Sequence, residues 1–118
     1  MAGHKPVFCD VDIATHNVTA ELIKKHITPN TGAFMVVHYA GLPVDMDPII
    51  KLGYPIIEDA AHAVDSYYKG KACGSIAVIG IYSFDAVKNL TMGEGGGITV
   101  SDESKFAIFG SDRRQYCW

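Results

Sequence analysis

The sequence is short of several things that would point directly to a function. Its 118 residues include three cysteines, Cys9, Cys73 and Cys117. They are widely separated and form no CxxC pair, so neither a disulfide scaffold nor a structural zinc site finds its spacing here. Lysine and arginine number 10 against 13 acidic residues, a net charge of −3. Without a cationic surplus, nucleic-acid binding has no electrostatic basis. No apolar run approaches the roughly 20 residues needed to cross a bilayer. The opening Met-Ala-Gly-His-Lys-Pro lacks the apolar core of a secretory signal. Internal repeats, low-complexity tracts and linker-like segments are absent too. These absences lead us to expect a reduced, cytoplasmic protein, one domain over residues 1–118, that binds neither nucleic acid nor membrane.

What is present is a globular composition, 48% apolar and 19% charged, arranged as alternating short β-type and helical stretches. Pro6–Val11 reads as a strand, with Cys9 as a small core residue. Thr19–Ile27 places Leu22, Ile23, His26 and Ile27 on one helical face, with Thr19 as N-cap and Pro29 as stop. Ala33–His38 is the near-continuous apolar run of a strand buried on both faces. Asp47-Pro48 reads as an N-cap and first helical residue, ending at Gly53 and Pro55. Strands are expected at Pro55–Glu58, Ile76–Phe84 and Ile98–Val100. A hairpin or loop is expected at Tyr67–Gly74, a glycine-rich loop at Gly93–Gly97, and a last helix at Glu103–Phe109. Such a βαβ series implies an α/β fold of three layers, a mostly parallel sheet with helices on both faces.

Ligands of open α/β sheets lie off the carboxyl ends of the strands. Those ends carry Asp10 and Asp12, His38, Asp59 and His62, and Ser83 to Lys88. Each has an ordinary reading: Asp59 as a helix N-cap, His62 as a hydrogen-bonded structural histidine, Lys88 as a solvated amine. The Gly93–Gly97 cluster has neither the GxxxxGK[ST] nor the GxGxxG spacing, and by itself it is a turn. It is also the basis of a minor alternative, an unrelated phosphate-binding α/β module.

Taken in series, the motifs say more. Ile57-Glu-Asp-Ala-Ala-His-Ala63, Tyr68-Lys-Gly-Lys71, Gly74-Ser75, Ser83-Phe84, Lys88-Asn-Leu-Thr91 and Gly93-Glu-Gly-Gly96 resemble the PLP-dependent sugar aminotransferases of the DegT/StrS type. Upstream, Pro6-Val-Phe8, Asp10-Val-Asp12, Val37-His-Tyr-Ala-Gly41 and Asp45-Met-Asp47 resemble the same family in the same order. The resemblance runs to about Phe109. It implies a partial PLP-transferase large domain of the aspartate aminotransferase fold. It implies pyridoxal phosphate as cofactor, glutamate as amino donor, a nucleotide-linked keto sugar as acceptor, and a homo-oligomer, most simply a dimer. By the same resemblance, Lys88 matches the lysine that holds PLP covalently. Asp59 matches the carboxylate that pairs with the pyridine nitrogen, His62 the residue reaching toward the ring or its 3′ oxygen, and Ser83 a hydroxyl on the cofactor phosphate.

Departures from the family pattern qualify that transfer. Family members are much longer. The upstream segment that cups the PLP phosphate, the residue that stacks on the ring and the C-terminal lobe have no counterpart in these 118 residues. Asp85 stands where relatives tend to carry an aromatic or amide-type residue, and a carboxylate aimed at a phosphate would repel it. The stretch 111–118 is an atypical tail. The expectation is therefore an aminotransferase core that needs more chain for activity. The alternative is a non-catalytic, oligomerising remnant of that domain.

Overall fold

A computed structural model describes residues 3–102. The expected helix at Glu103–Phe109, Cys117 and the 111–118 tail lie outside the described residues.

In chain order the elements are α1 (Ala20–Lys24), β1 (Phe34–Val37), α2 (Met46–Ile50), β2 (Ile56–Asp59), β3 (Tyr67–Tyr68), β4 (Lys71–Ala72), β5 (Ile79–Ser83) and β6 (Gly96–Val100). Four strands form one sheet in the order β1-β2-β5-β6. β1, β2 and β5 run parallel, while β6 returns antiparallel to β5. The arrangement is the mostly parallel α/β sheet expected from the alternating pattern.

Strand periodicity divides the residues between two faces. Val36 and Ile56 join Ala20 and Ile23 of α1, Met46 and Ile49 of α2, and Val44 in one buried cluster. Each fully buried aliphatic side chain of this kind contributes about 1.5–3 kcal/mol. Both described α-helices thus lie against one face, so among the described residues the sheet is covered on one side and not on the two expected. On the other face, Val37, Asp59, Ile81 and Ile98 form a row across the four strands. Met35 and Ile98 on this face are 59% and 51% exposed.

Local chemistry explains where most elements begin and end. Thr19 is the N-cap of α1, its hydroxyl accepting from the Leu22 N–H at 3.4 Å. That helix is shorter than expected. The His26 N–H turns back to the Ile23 carbonyl, a tight three-residue closure that ends the helical repeat. The N-cap of α2 is Asp45 rather than Asp47. Pro48 still falls in the first turn, where a missing N–H costs little. Gly53, at φ +80°, ends it with its N–H on the Ile50 carbonyl. The region read as a hairpin or loop is the β3–β4 hairpin, closed by Lys69 and Gly70 at φ +49° and +81°, the paired positive φ of a two-residue hairpin turn.

Three expectations need correction. Pro6–Val11 is not a strand. A strand exists through its ladder, and no described strand pairs with this segment; Val7 and Phe8 are 66% and 89% exposed. Cys9 in this segment is half-buried and packs against the main core without belonging to its buried set. The run Ile76–Phe84 contributes only Ile79–Ser83 to the sheet, because the Ile76 and Ala77 amides donate to the Glu58 side chain instead of to a neighbouring strand. Gly96 and Gly97 are strand rather than loop, paired with Ser83 and Tyr82.

Candidate functional site

The carboxyl ends of β2 and β5 lie side by side. Asp59 is the Cα partner of Ile81, and Ser83 follows two residues later, so Asp59 and Ser83 share a sheet face on adjacent strands. Asp59 is half-buried. Its Oδ1 accepts from the Ala61 N–H at 3.0 Å, closing a turn rather than capping the helix its ordinary reading expected, since a turn and not a helix follows. Its Oδ2 has no hydrogen bond within the described residues. The Ser83 hydroxyl receives only a long contact, 3.5 Å from the Asp85 N–H.

Beyond β2 the chain makes a compact turn. The Ala63 N–H bonds the Ala60 carbonyl at 2.9 Å, and both alanines are buried beside Cys73. His62 projects from this turn and is exposed. Lys88 reaches it from the β5–β6 connection: Lys88 Nζ lies 2.9 Å from His62 Nε2. The structure therefore brings His62 and Lys88 into direct contact, and puts Asp59 and Ser83 on one face at the carboxyl ends of the two strands from which their segments run. The Asp85 carboxylate is engaged locally, its Oδ1 accepting from the Val87 N–H at 3.1 Å.

The other expected candidates go elsewhere. Asp12 folds over its own turn, accepting from the Ala14 and Thr15 amides and the Thr15 hydroxyl. Asp10 sits on the exposed N-terminal segment. His38 is fully buried. Its Nδ1 accepts from the Val44 N–H at 3.0 Å, so Nε2 carries the proton and donates to Glu58 Oε2 at 3.0 Å.

Glu58 is the residue that sequence reasoning missed. It has no exposed surface, yet its carboxylate takes four hydrogen bonds. Oε2 accepts from His38 and from the Gly74 N–H at 2.8 Å. Oε1 accepts from the Ile76 N–H at 2.7 Å and the Ala77 N–H at 2.5 Å. Burial pushes its carboxyl up, but the His38 bond and the Ala77, Gly74 and Ile76 amides outweigh that and hold it below the ordinary value. The signal was there: Glu58 shares the inward parity of Ile56, and a charge at an inward position needs dedicated partners. Nearby, burial and then the Glu58 charge push the Cys73 thiol up to about 11, which keeps it protonated at neutral pH and unfit as a nucleophile.

Two glycines let this carboxylate be enclosed. A Cβ on Gly80 would lie 1.8 Å from the Gly74 carbonyl oxygen, and one on Gly74, at φ +86°, would lie 2.5 Å from the Tyr82 hydroxyl. Only with both side chains absent can the 73–77 loop close over Glu58.

With this geometry, comparison with known proteins is decisive. The model of the DegT/DnrJ/EryC1/StrS aminotransferase family matches residues 1–110. The chain belongs to that family. It is 48% identical over 103 residues to MJ1066 of Methanocaldococcus jannaschii, covering 84% of this chain and 27% of that protein. It superimposes on DesI, solved in the presence of its TDP-sugar product, with a TM-score of 0.86 and 32% identity, covering 92% of this chain and 29% of DesI. It also superimposes on Spr1654 of Streptococcus pneumoniae in its PLP-form, with a TM-score of 0.84 and 29% identity, covering 93% of this chain and 34% of the neighbour. The chain thus spans about a third or less of the length of each. The described helices include none long and apolar enough to cross a membrane, and no cluster of described side chains has the makeup of a metal site.

The donor set at the sheet edge fits pyridoxal phosphate. It offers a primary amine, a carboxylate with one oxygen open, a hydroxyl and an imidazole, all from one end of one sheet.

Proposed function

We propose that this chain carries the cofactor-holding part of a PLP-dependent aminotransferase that transfers the amino group of glutamate to a nucleotide-linked keto sugar. The observation that carries the reading is the contact between Lys88 and His62 beside Asp59 and Ser83, in the motif order of the family. The acceptor class is supported by the His38-Tyr-Ala-Gly41 and Asp59-Ala-Ala-His62 variants of the motifs and by the TDP-sugar found with DesI.

When bound, PLP supplies an electron sink that stabilises negative charge at the carbon bearing the amino group. The chain's own residues do the rest. Lys88 provides the amine that holds the cofactor and then moves a proton to and from Nζ. His62 accepts or donates at Nε2, within reach of that Nζ. Asp59, through its open Oδ2, would hold the pyridine nitrogen and favour its protonated form, since a carboxylate favours a charged partner. Ser83 would hold the phosphate through its hydroxyl. Relatives of this chain are oligomeric by resemblance, and we infer that a partner copy or further polypeptide completes the walls of the site.

Incubation with PLP, reduction with borohydride and peptide mass mapping test the reading. An adduct concentrated on Lys88 and lost in Lys88→Ala supports it. Failure to label Lys88 above the other lysines at high PLP overturns cofactor capture by this chain and leaves the alternative of a folded, non-catalytic remnant.

A further inference from the structure

Lys88 lies in the connection between β5 and β6, and the way this connection is held is informative. Its neck is closed by backbone bonds: the Phe84 N–H donates to the Gly95 carbonyl and the Met92 N–H to the Phe84 carbonyl, both at 2.9 Å. Its tip turns on itself, with the Lys88 N–H on the Asp85 carbonyl at 3.0 Å. Little apolar burial seats that tip: Val87 is 85% exposed, Leu90 52% and Met92 67%. Segments with so few buried contacts open at low cost. What holds the tip must therefore be polar.

Two side-chain hydrogen bonds cross from the tip to the turn after β2. One is Lys88 Nζ to His62 Nε2 at 2.9 Å; the other runs from Asn89 Nδ2 to the Val64 carbonyl at 3.1 Å. The receiving turn is firm. Ala60 and Ala63 are buried, the Ala60 N–H is bound to the Ile81 carbonyl at 2.8 Å, and the Ser66 N–H to the Ala63 carbonyl at 3.1 Å. The two bonds differ in kind. The Lys88–His62 contact joins two titratable groups and must give way whenever Nζ is engaged otherwise. The Asn89 bond joins a carboxamide to a backbone carbonyl, neither of which titrates or is consumed when Lys88 is engaged.

We propose that Asn89 is a positioning residue for Lys88: its carboxamide pins the loop tip to the Val64 carbonyl, so that Nζ stays beside His62 when free and stays at the sheet edge when occupied. This rests on the reading of Lys88 as the cofactor-holding amine, but its test needs no cofactor.

Trace acetylation of the full chain with acetic anhydride, resolved by peptide mass spectrometry, measures how freely each lysine amine reacts. Lys24 and Lys51, both exposed, serve as internal references. Asn89→Ala, and Asn89→Leu with nearly the same shape but no donor and no charge, should each raise Lys88 labelling about three-fold relative to Lys24 and Lys51, the effect of losing one neutral hydrogen bond. His62→Ala should raise it too, and adding Asn89→Ala in that background should raise it no further. An unchanged Lys88 ratio in both Asn89 variants overturns the proposal. So does a rise shared equally by all lysines, which marks general loosening. Failure of wild-type Lys88 to capture PLP would overturn the cofactor reading while leaving the labelling ratios, and hence the tether, intact.

Discussion

Two histidines in this chain meet two different partners, and the contrast separates architecture from chemistry. His38 is buried, with both ring nitrogens committed, one to the Val44 N–H and one to Glu58. His62 is exposed, with Nε2 on Lys88 and no hydrogen bond at Nδ1 among the described residues. The first pair is fully satisfied and closed to solvent, so it can only hold things in place. The second is open, with a primary amine 2.9 Å from an imidazole, so a proton can be exchanged and a ligand can enter. Between them lies one strand whose adjacent residues Glu58 and Asp59 point to opposite faces. One strand therefore anchors the loop behind the sheet and presents a carboxylate at the site in front of it.

The comparison can be broken most forcefully at Glu58. Glu58→Ala leaves the His38 donor and three backbone amides without an acceptor, and should cost about 4 kcal/mol or more, at about 1–3 kcal/mol for each buried donor left unpaired. In a small domain that approaches the whole stability; chemical denaturation of wild type and variant measures it. A loss under about 1 kcal/mol would show that water replaces the carboxylate without penalty.

Next comes acid. Because the folded Glu58 carboxyl is held below its ordinary value of 4.5, its ionisation favours the folded chain. That contribution is complete above 4.5 and is lost as pH falls through the lowered folded value. Asp12, held down by the Thr15 backbone bond, and Asp47, held down by its Lys69 hydrogen bond, act in the same direction, but both are open to solvent, which screens their share to little. The melting temperature should fall below pH 4.5, and less steeply in Glu58→Gln, which is less stable at neutral pH but has no carboxyl to protonate. Parallel slopes would remove Glu58 from the account.

At the open pair the expected effects on stability are small. His62→Ala should leave the denaturation midpoint nearly unchanged and speed acetylation of Lys88, whereas His38→Ala should do the reverse. If His62→Ala destabilises as much as His38→Ala, the division between the two histidines fails. Smallest of all is Lys69→Ala. Lys69 and Asp47 form an ion pair whose side chains are 65% and 46% exposed, and exposed pairs contribute little. A melt within experimental error of wild type is expected, with any difference vanishing in high salt.

Much of the site was legible in the residues because motif chemistry is local. Asp59 ends an apolar strand, and Lys88 follows another by a few residues. Their spacing from the strand ends puts both at the carboxyl edge of the sheet. The fold was legible to a similar degree, through apolar runs, Thr19 as a cap and Gly53 as a stop. What escaped depends on partners distant in sequence. Pro6–Val11 has the composition of a strand but no described strand beside it. Ile76 and Ala77 have strand composition too, yet their amides turn to Glu58. Asn89 has no local signature, because its partner is a backbone carbonyl 25 residues away.

The motifs carried the resemblance to the family, and the order of apolar and polar residues by itself determined an α/β sheet and its carboxyl edge. These follow from periodicities of a few residues, which neighbouring side chains enforce. Only the tertiary structure decided that Glu58 is a buried hub, that Gly74 and Gly80 must lack side chains for a loop to close over it, and that Lys88 meets His62. A buried charge is tolerable only where several donors converge on it, and such convergence arises only after distant segments have packed together.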